Sequence, residues 1–288
     1  LLFDSLGSEF RAPEVTAALD ALAAMDEVQR GAVFTRGEVV TAILDLVGYV
    51  SGKPLHRMRL LEPSFGDGDF LLPAIDRLLE AYAGEGGCAA SARSDLAGAI
   101  RAVELHRSSF ERTARRVEER LSQAGLSKPD ALALAAEWLI CDDFLLCPLP
   151  HDFDAVIGNP PYVRQERILE ALLDEYRRRY RTLYDRADLY VPFYERGLEL
   201  LASQGRLGFI CANRWVKNKY GGPLRAKIAG DYQLLHYIDM EGVDAFHAEV
   251  IAYPSITIVR RPTAGETTPP ARVSTRTASR RDDLPALK

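Results

Sequence analysis

The stretch "LLEPSFGDGDFL", residues 60–71, decides how this chain folds. Its first residues complete an apolar segment, "RMRLLEP" (57–63), that reads as a short strand stopped by an acid and a proline. Gly66 and Gly68 then permit a tight turn, and "FLLPAIDRLLEAYAG" (70–84) reads as a helix closed by Gly84. Strand, glycine turn and helix form the repeating unit of a parallel sheet, because a parallel neighbour is reached only through a crossover. The same alternation recurs outward in both directions. Upstream, residues 12–30 and 37–51 read as helices, the second with Val39, Val40, Ile43, Leu44 and Val47 on one face. Downstream come a small-residue loop (84–98), a strand (99–105), a charged helix (106–124) and strands at 137–143 and 153–159. An Arg-rich helix (166–180) and a helix closed by Gly205 (188–205) precede strands at 206–213, 234–240 and 255–261. The last two strands are too close for a long crossover helix. The expected fold is α/β and Rossmann-like: a mostly parallel seven-stranded sheet with an antiparallel edge hairpin and helices on both faces.

With 288 residues, 47% hydrophobic and 27% charged, the chain has the composition of a soluble globular protein. No apolar run approaches the ~20 residues of a membrane span, and the N-terminus does not resemble a secretory signal. Cys88, Cys141, Cys147 and Cys211 show no paired metal-ligand spacing, so a reducing, cytoplasmic setting without a metal is expected. The net charge of −5 argues against wholesale coating of nucleic acid but allows a local basic face.

Chemistry concentrates at strand ends. Glu62 ends the first strand, Glu104 the next, and Asp142 and Asp143, followed by Phe144, the one after. Gly66 and Gly68 alone need only make a turn. Neither a dinucleotide fingerprint with a third glycine nor a Gly-Lys-Ser/Thr phosphate loop is present. Acids at the carboxyl ends of successive parallel strands define one crevice, where open α/β sheets bind ligands. Such a crevice suits a nucleoside with a cationic centre, and S-adenosyl-L-methionine is the expected cofactor.

The strand "FDAVIGN" (153–159) runs into Asn159-Pro160-Pro161-Tyr162. Both prolines fix φ and neither donates a hydrogen bond, so they hold a rigid turn at the end of a buried-looking strand. "LLEPSFGDGDFL" followed by "GNPPYV" resembles the amino-methyltransferases, especially the Taq-like gamma class of N6-adenine DNA methyltransferases of restriction-modification systems. The resemblance covers about residues 31–261 and implies a class I methyltransferase fold. It places Glu62, Pro63, Phe65, Gly66, Gly68 and Glu104 around the cofactor. Thr35, in "GAVFTRGEVVTAIL" (31–44), would meet its methionine end, and Asp143 or Asp142 its adenine amino group, with Phe144 against the ring. Phe246, in "VDAFHAEVIAYPSITIV" (243–259), would be an aromatic facing the target base.

An exocyclic adenine amine is a weak nucleophile because its lone pair is delocalised into the ring. The Asn159 side-chain oxygen and the Pro160 carbonyl, aimed at its hydrogens, would favour a more tetrahedral, reactive nitrogen. Tyr162 offers a π-face on which an extruded base can stack. In "GRLGFICANRWVKNKYGGPLRAKIA" (205–229), Arg214, Lys217, Lys219 and Arg225 lie among Trp215 and Tyr220, a pattern suited to the backbone of double-stranded DNA. The cluster "YRRRYR" (176–181) fits nucleic acid and a solvated face equally well. The expected organisation is an N-terminal helical segment (1–30), a catalytic domain (31–261), and a linker or the start of a target-recognition domain (262–288), with that domain lying beyond residue 288. Methylation of a protein glutamine or an RNA base would use the same turn, and a non-catalytic DNA-binding fold is a further alternative.

Overall fold

The computed structural model describes residues 11–25, 35–240, 245–246 and 253–266. Among these, seven strands form one sheet in the order β3-β2-β1-β4-β5-β7-β6. The strands are β1 (Leu60–Glu62), β2 (Ile100–Glu104), β3 (Leu139–Cys141), β4 (Phe153–Gly158), β5 (Leu201–Ala212), β6 (Gln233–Asp239) and β7 (Pro254–Arg260). β1 to β5 run parallel, whereas β7 pairs antiparallel with both β5 and β6. β6 and β7 are therefore the expected edge hairpin, with the later strand inserted inside the earlier one.

The helices are α1 (Pro13–Ala23), α2 (Gly37–Leu46), α3 (Leu71–Gly84), α4 (Ala89–Leu96), α5 (Arg107–Gln123), α6 (Lys128–Trp138), α7 (Glu170–Arg179), α8 (Tyr190–Glu199), α9 (Arg214–Lys217) and α10 (Gly222–Asp231). Side chains alternate across a pleated strand, so both faces of the sheet must be covered. Leu60 and Ile157 pack with α2 to α6, while Leu61 and Val156 pack with α1, α7, α8 and α10. β1 lies beside both β2 and β4, so the connections leave it in opposite directions. A crevice opens at such a switch point, between the carboxyl ends of the two central strands.

Three local expectations are corrected. Residues 84–98 are not a loop throughout: α4 forms there, burying Ala92 and Leu96 one turn apart, and the Trp138 indole donates to the Leu96 carbonyl at 2.9 Å. α6 occupies residues to which no periodicity pointed. Ser127 caps it by accepting from the Asp130 amide at 3.3 Å, and Pro129 sits in its first turn. Finally, Gly205 does not end a helix. α8 stops at Glu199, and Gly205 lies inside β5, where a Cβ would come within 2.6 Å of the Phe153 carbonyl oxygen. The register against β4 shifts at that place, so the glycine serves a kinked strand. α1 ends at Ala23, capped at Ala24, short of the expected residue 30, and residues 26–30 and 267–288 lie outside the described residues.

Candidate active site

A cavity of about 950 Å³, counting its open mouth, sits at the switch point. That is ample for a nucleoside-sized ligand. The loop after β1 supplies Glu62, Pro63, Ser64, Phe65, Gly66, Asp67, Asp69 and Phe70; the ends of β2 and β3 supply Glu104, Asp142, Asp143 and Phe144; the turn after β4 supplies Asn159 to Val163. Sequence positions from all four strand ends thus meet in one place.

The glycine loop is held from below. Gly68 has φ +87°, and a Cβ there would press within 3.0 Å of Leu72 and 3.1 Å of Thr113, so this glycine lets α3 and α5 close on the turn rather than lining the cavity. Gly66 has φ +50°, and a Cβ there would meet open space. Its amide donates to Glu104 Oε2 at 2.8 Å, while Glu104 Oε1 accepts from the His106 amide at 2.8 Å. Two backbone donors therefore fix the Glu104 carboxylate at the cavity wall.

The neighbouring acids at the end of β3 have different tasks. Asp142 accepts both guanidinium nitrogens of Arg11, at 2.7 and 2.8 Å, and its Oδ1 also accepts the Asp143 amide at 2.7 Å. Asp143 Oδ2 accepts from the Tyr176 hydroxyl at 2.8 Å, whereas Oδ1 is buried without a hydrogen-bond partner among the described residues. Burial raises the Asp143 carboxyl to about 6, with the Tyr176 hydrogen bond pulling it down. Burial also raises the Glu62 carboxyl well above its usual range, reinforced by Asp69 and Glu104, and Glu62 Oε2 likewise has no partner. Buried carboxylate oxygens are costly without a donor or a cation. Phe144 packs against Phe193 at a centroid distance of 4.9 Å, and the Arg196 guanidinium lies over the Phe144 ring at 5.0 Å.

The turn after β4 is joined to the start of α2 and to the segment around Phe246. Asn159 Nδ2 donates to Thr35 Oγ1 at 3.3 Å, and the Thr35 amide donates to Asp69 Oδ2 at 2.8 Å. Thr35 also bridges antiparallel to Phe246, where Arg36 Nε donates to the Phe246 carbonyl at 2.8 Å. The Phe246 ring is buried in the core cluster around α2 and is not among the described cavity-lining residues. Tyr162 lies in the wall with its ring 6.3 Å from that of Tyr190.

The basic residues divide by role. Lys217 and Lys219 are exposed and Arg214 is half-buried. Arg225 is half-buried, and its Nη1 donates to the carbonyls of Trp215 and Asn218 at 2.5 and 2.9 Å, bracing the turn that carries the lysines. In the "YRRRYR" cluster, Arg178 and Arg179 pair with Glu175 and Arg177 donates to Gln165 Oε1. These arginines are thus engaged within α7 and with the short turn before it.

A profile of the Eco57I restriction-modification methylase family matches residues 98–246, just over half of the chain. The chain belongs to this family. It is 56% identical over 256 residues to the Type II methyltransferase M.PaeR7I of Pseudomonas aeruginosa, covering 88% of this chain and 44% of that protein. It is 52% identical over 250 residues to M.XhoI of Xanthomonas vasicola, covering 87% and 46%. The chain thus spans less than half the length of these two curated relatives. The solved M protein of the Type I restriction enzyme EcoKI shares the fold, with a TM-score of 0.58 at 14% identity over 80% of this chain and 44% of that one. The Rossmann-like methyltransferase fold of the family is the observed architecture.

Several residues at the cavity were not read from the sequence as site residues. Asp69, the second acid of "GDGD", is visible there only in retrospect. Leu22, His106 and Phe193 line the cavity from helices or their ends, and Tyr176 holds Asp143 from α7; each looks like ordinary helix packing in sequence. Among the described residues, no group of three or more His, Cys, Asp or Glu side chains is placed to hold a metal, and no helix is long and apolar enough to cross a membrane.

Proposed function

We propose that this chain is the methyltransferase domain of a site-specific DNA adenine-N6 methyltransferase of a restriction-modification system. The carrying observation is a cavity lined by Glu62, Asp69, Glu104 and Asp143 that opens onto Asn159-Pro160-Pro161-Tyr162 at the switch point of the sheet. Family membership supports S-adenosylmethionine as the cofactor. So do the residues: the buried unpartnered oxygens of Asp143 and Glu62 call for a donor and a cationic group.

Bound there, S-adenosylmethionine supplies an electrophilic methyl group. Asp143 Oδ1 would accept from the adenine amino group, and Phe144 and Phe193 would pack against the ring. Glu104, already oriented by two amides, would take the ribose hydroxyls, with Glu62 and Pro63 closing the floor. Thr35 ties the methionine end of the cavity to Asn159. Double-stranded DNA is the partner that the lysine-bearing turn fits, and it delivers a flipped adenine over Tyr162. The Asn159 side-chain oxygen and the Pro160 carbonyl then accept the two amine hydrogens, drawing the nitrogen lone pair out of conjugation with the ring. The prolines fix these acceptors in advance, so little reorganisation accompanies methyl transfer.

The test is to incubate the full-length protein with labelled cofactor and, in parallel, duplex DNA, RNA and protein, then digest the products. Label in N6-methyladenine from DNA is the expected result. Label in RNA or in a glutamine side chain would replace this reading.

A further inference from the structure

Helix α1 is pinned at both ends to the strand termini that frame the cavity. Ahead of its first turn, Arg11 grips Asp142 through both guanidinium nitrogens. In its last turn, the Ala23 carbonyl meets His106 Nδ1 at 2.9 Å, and because a carbonyl only accepts, that nitrogen carries the proton. Asp142 follows β3 and His106 follows β2. An 11-residue helix is about 16 Å long, so α1 lies across the carboxyl ends of two adjacent strands.

Its buried face, Val15, Ala18, Leu19 and Leu22, has helical spacing and packs in the same cluster as Phe144, Leu172 and Tyr176. Leu22 and His106 both line the cavity. The fork on Asp142 also acts at one remove, because Asp142 Oδ1 accepts the Asp143 amide. A planar guanidinium bonded at two points fixes direction as well as charge. Arg11 therefore holds the carboxylate that holds the backbone of Asp143.

We propose that Arg11 is a positioning residue for cofactor binding: it seals α1 over the nucleoside end of the cavity and, through Asp142, sets the position of Asp143. This rests on reading the cavity as the S-adenosylmethionine site. The charged and titratable groups around Asp143 are Asp142 on its own segment, Arg11 ahead of α1, Tyr176 on α7, Tyr180 just after it, Arg196 on α8 and Cys147 on the loop after β3. Burial, then Asp142, raise the Asp143 carboxyl, and the Tyr176 hydrogen bond, Arg11 and Arg196 lower it. Removing the Arg11 charge raises it further, so more of it is protonated at a given pH and unable to accept.

The test uses the full-length protein, with S-adenosylhomocysteine and S-adenosylmethionine titrated calorimetrically between pH 5 and 8. Arg11→Gln is expected to weaken both by about tenfold at pH 7, the usual scale for a lost charge-assisted pair. It should also move the pH midpoint of binding upward. The KM for cofactor rises while kcat at saturation stays within about twofold, which loss of general packing would not produce. Arg11→Lys, keeping the charge without the fork, returns the midpoint toward the parent value but leaves affinity reduced. In the parent, hydrogen exchange across residues 13–23 slows when S-adenosylhomocysteine binds, a measurement that needs no variant to fold. Arg11→Gln binding within twofold of a parent that binds, a fall in kcat with KM unchanged, or unaltered exchange over 13–23 would each overturn the inference. A parent that binds neither compound would instead remove the cofactor reading, and this inference with it.

Discussion

Asp143 and Asp142 are adjacent, chemically identical and both at the end of a strand, yet only one keeps an oxygen without a partner. Nothing in "ICDDFLL" distinguishes them, because the deciding partners, Arg11 and Tyr176, are 131 and 33 residues away. The difference has a pH signature. The Asp143 carboxyl is held at about 6 rather than 3.8, so the ligand-free fold retains its proton more tightly than the unfolded chain does. Its contribution to stability is present at low pH and is lost as pH rises from about 4 through about 6. Cofactor binding runs the other way, since accepting from an amine requires the carboxylate. Affinity is expected to increase about tenfold between pH 5 and 7 and then level off. Asp143→Asn should flatten that profile, and a profile equally steep in the variant would assign the titration elsewhere. At the opposite end of the cavity, Asn159→Ala is expected to lower methyl transfer by at least 100-fold, the scale for removing one aligned hydrogen-bonding group from a transition state. Its affinity for cofactor should stay within a few fold, as calorimetry beside a single-turnover assay would show.

Among the elements, β5 shows how closely the layers approach. Gly208 pairs with Ile157 on one side and Ile258 on the other, and α2 lies directly over it. A Cβ at Gly208 would sit 2.6 Å from Val47 Cγ1 and 2.9 Å from Ile43 Cγ2. Gly208→Ala is therefore expected to cost about 1–3 kcal/mol through overpacking, lowering the melting temperature by several degrees. An unchanged melt would mean that α2 can lift from the sheet. The sequence announced α2 and β5 as separate periodic segments, and the glycine between Leu207 and Phe209 is the trace of their contact. It announced α8 less well. "DLYVPFYERGLELLASQG" reads as one long helix because its apolar residues keep helical spacing as far as Leu201, whereas hydrogen bonding to β4 claims Leu201 onward as strand. Local periodicity is a weak guide wherever a neighbouring strand competes for the same backbone groups.

For the molecule as a whole, a net charge of −5 and a small set of exposed lysines set the scale of DNA binding. The 288-residue chain should bind duplex DNA weakly and with little sequence preference. If Arg214, Lys217 and Lys219 neutralise two or three phosphates, the logarithm of affinity falls with that of salt with a slope of about −2 to −3. Lys217→Ala with Lys219→Ala should flatten the slope by about two without altering the melt, while Arg225→Ala should lower the melt because it unbraces the turn. Tight, sequence-selective binding by this chain, or a slope unmoved by the lysine pair, would move the DNA interface elsewhere. The sequence by itself determined the strand–helix alternation, the edge hairpin, the acids at strand ends and the Asn159 turn, because each depends on neighbours within a few residues. Only the tertiary structure decided that Arg11 claims Asp142, that Gly68 serves packing, that Arg225 braces the turn of Trp215 and Asn218, and that Thr35 joins Asp69, Asn159 and Phe246. The partners of Arg11 and Thr35 are 34 to 131 residues away across hydrogen bonds, and they meet because the sheet order reverses between β1 and β4, which gathers the ends of β1 to β4 at one crevice.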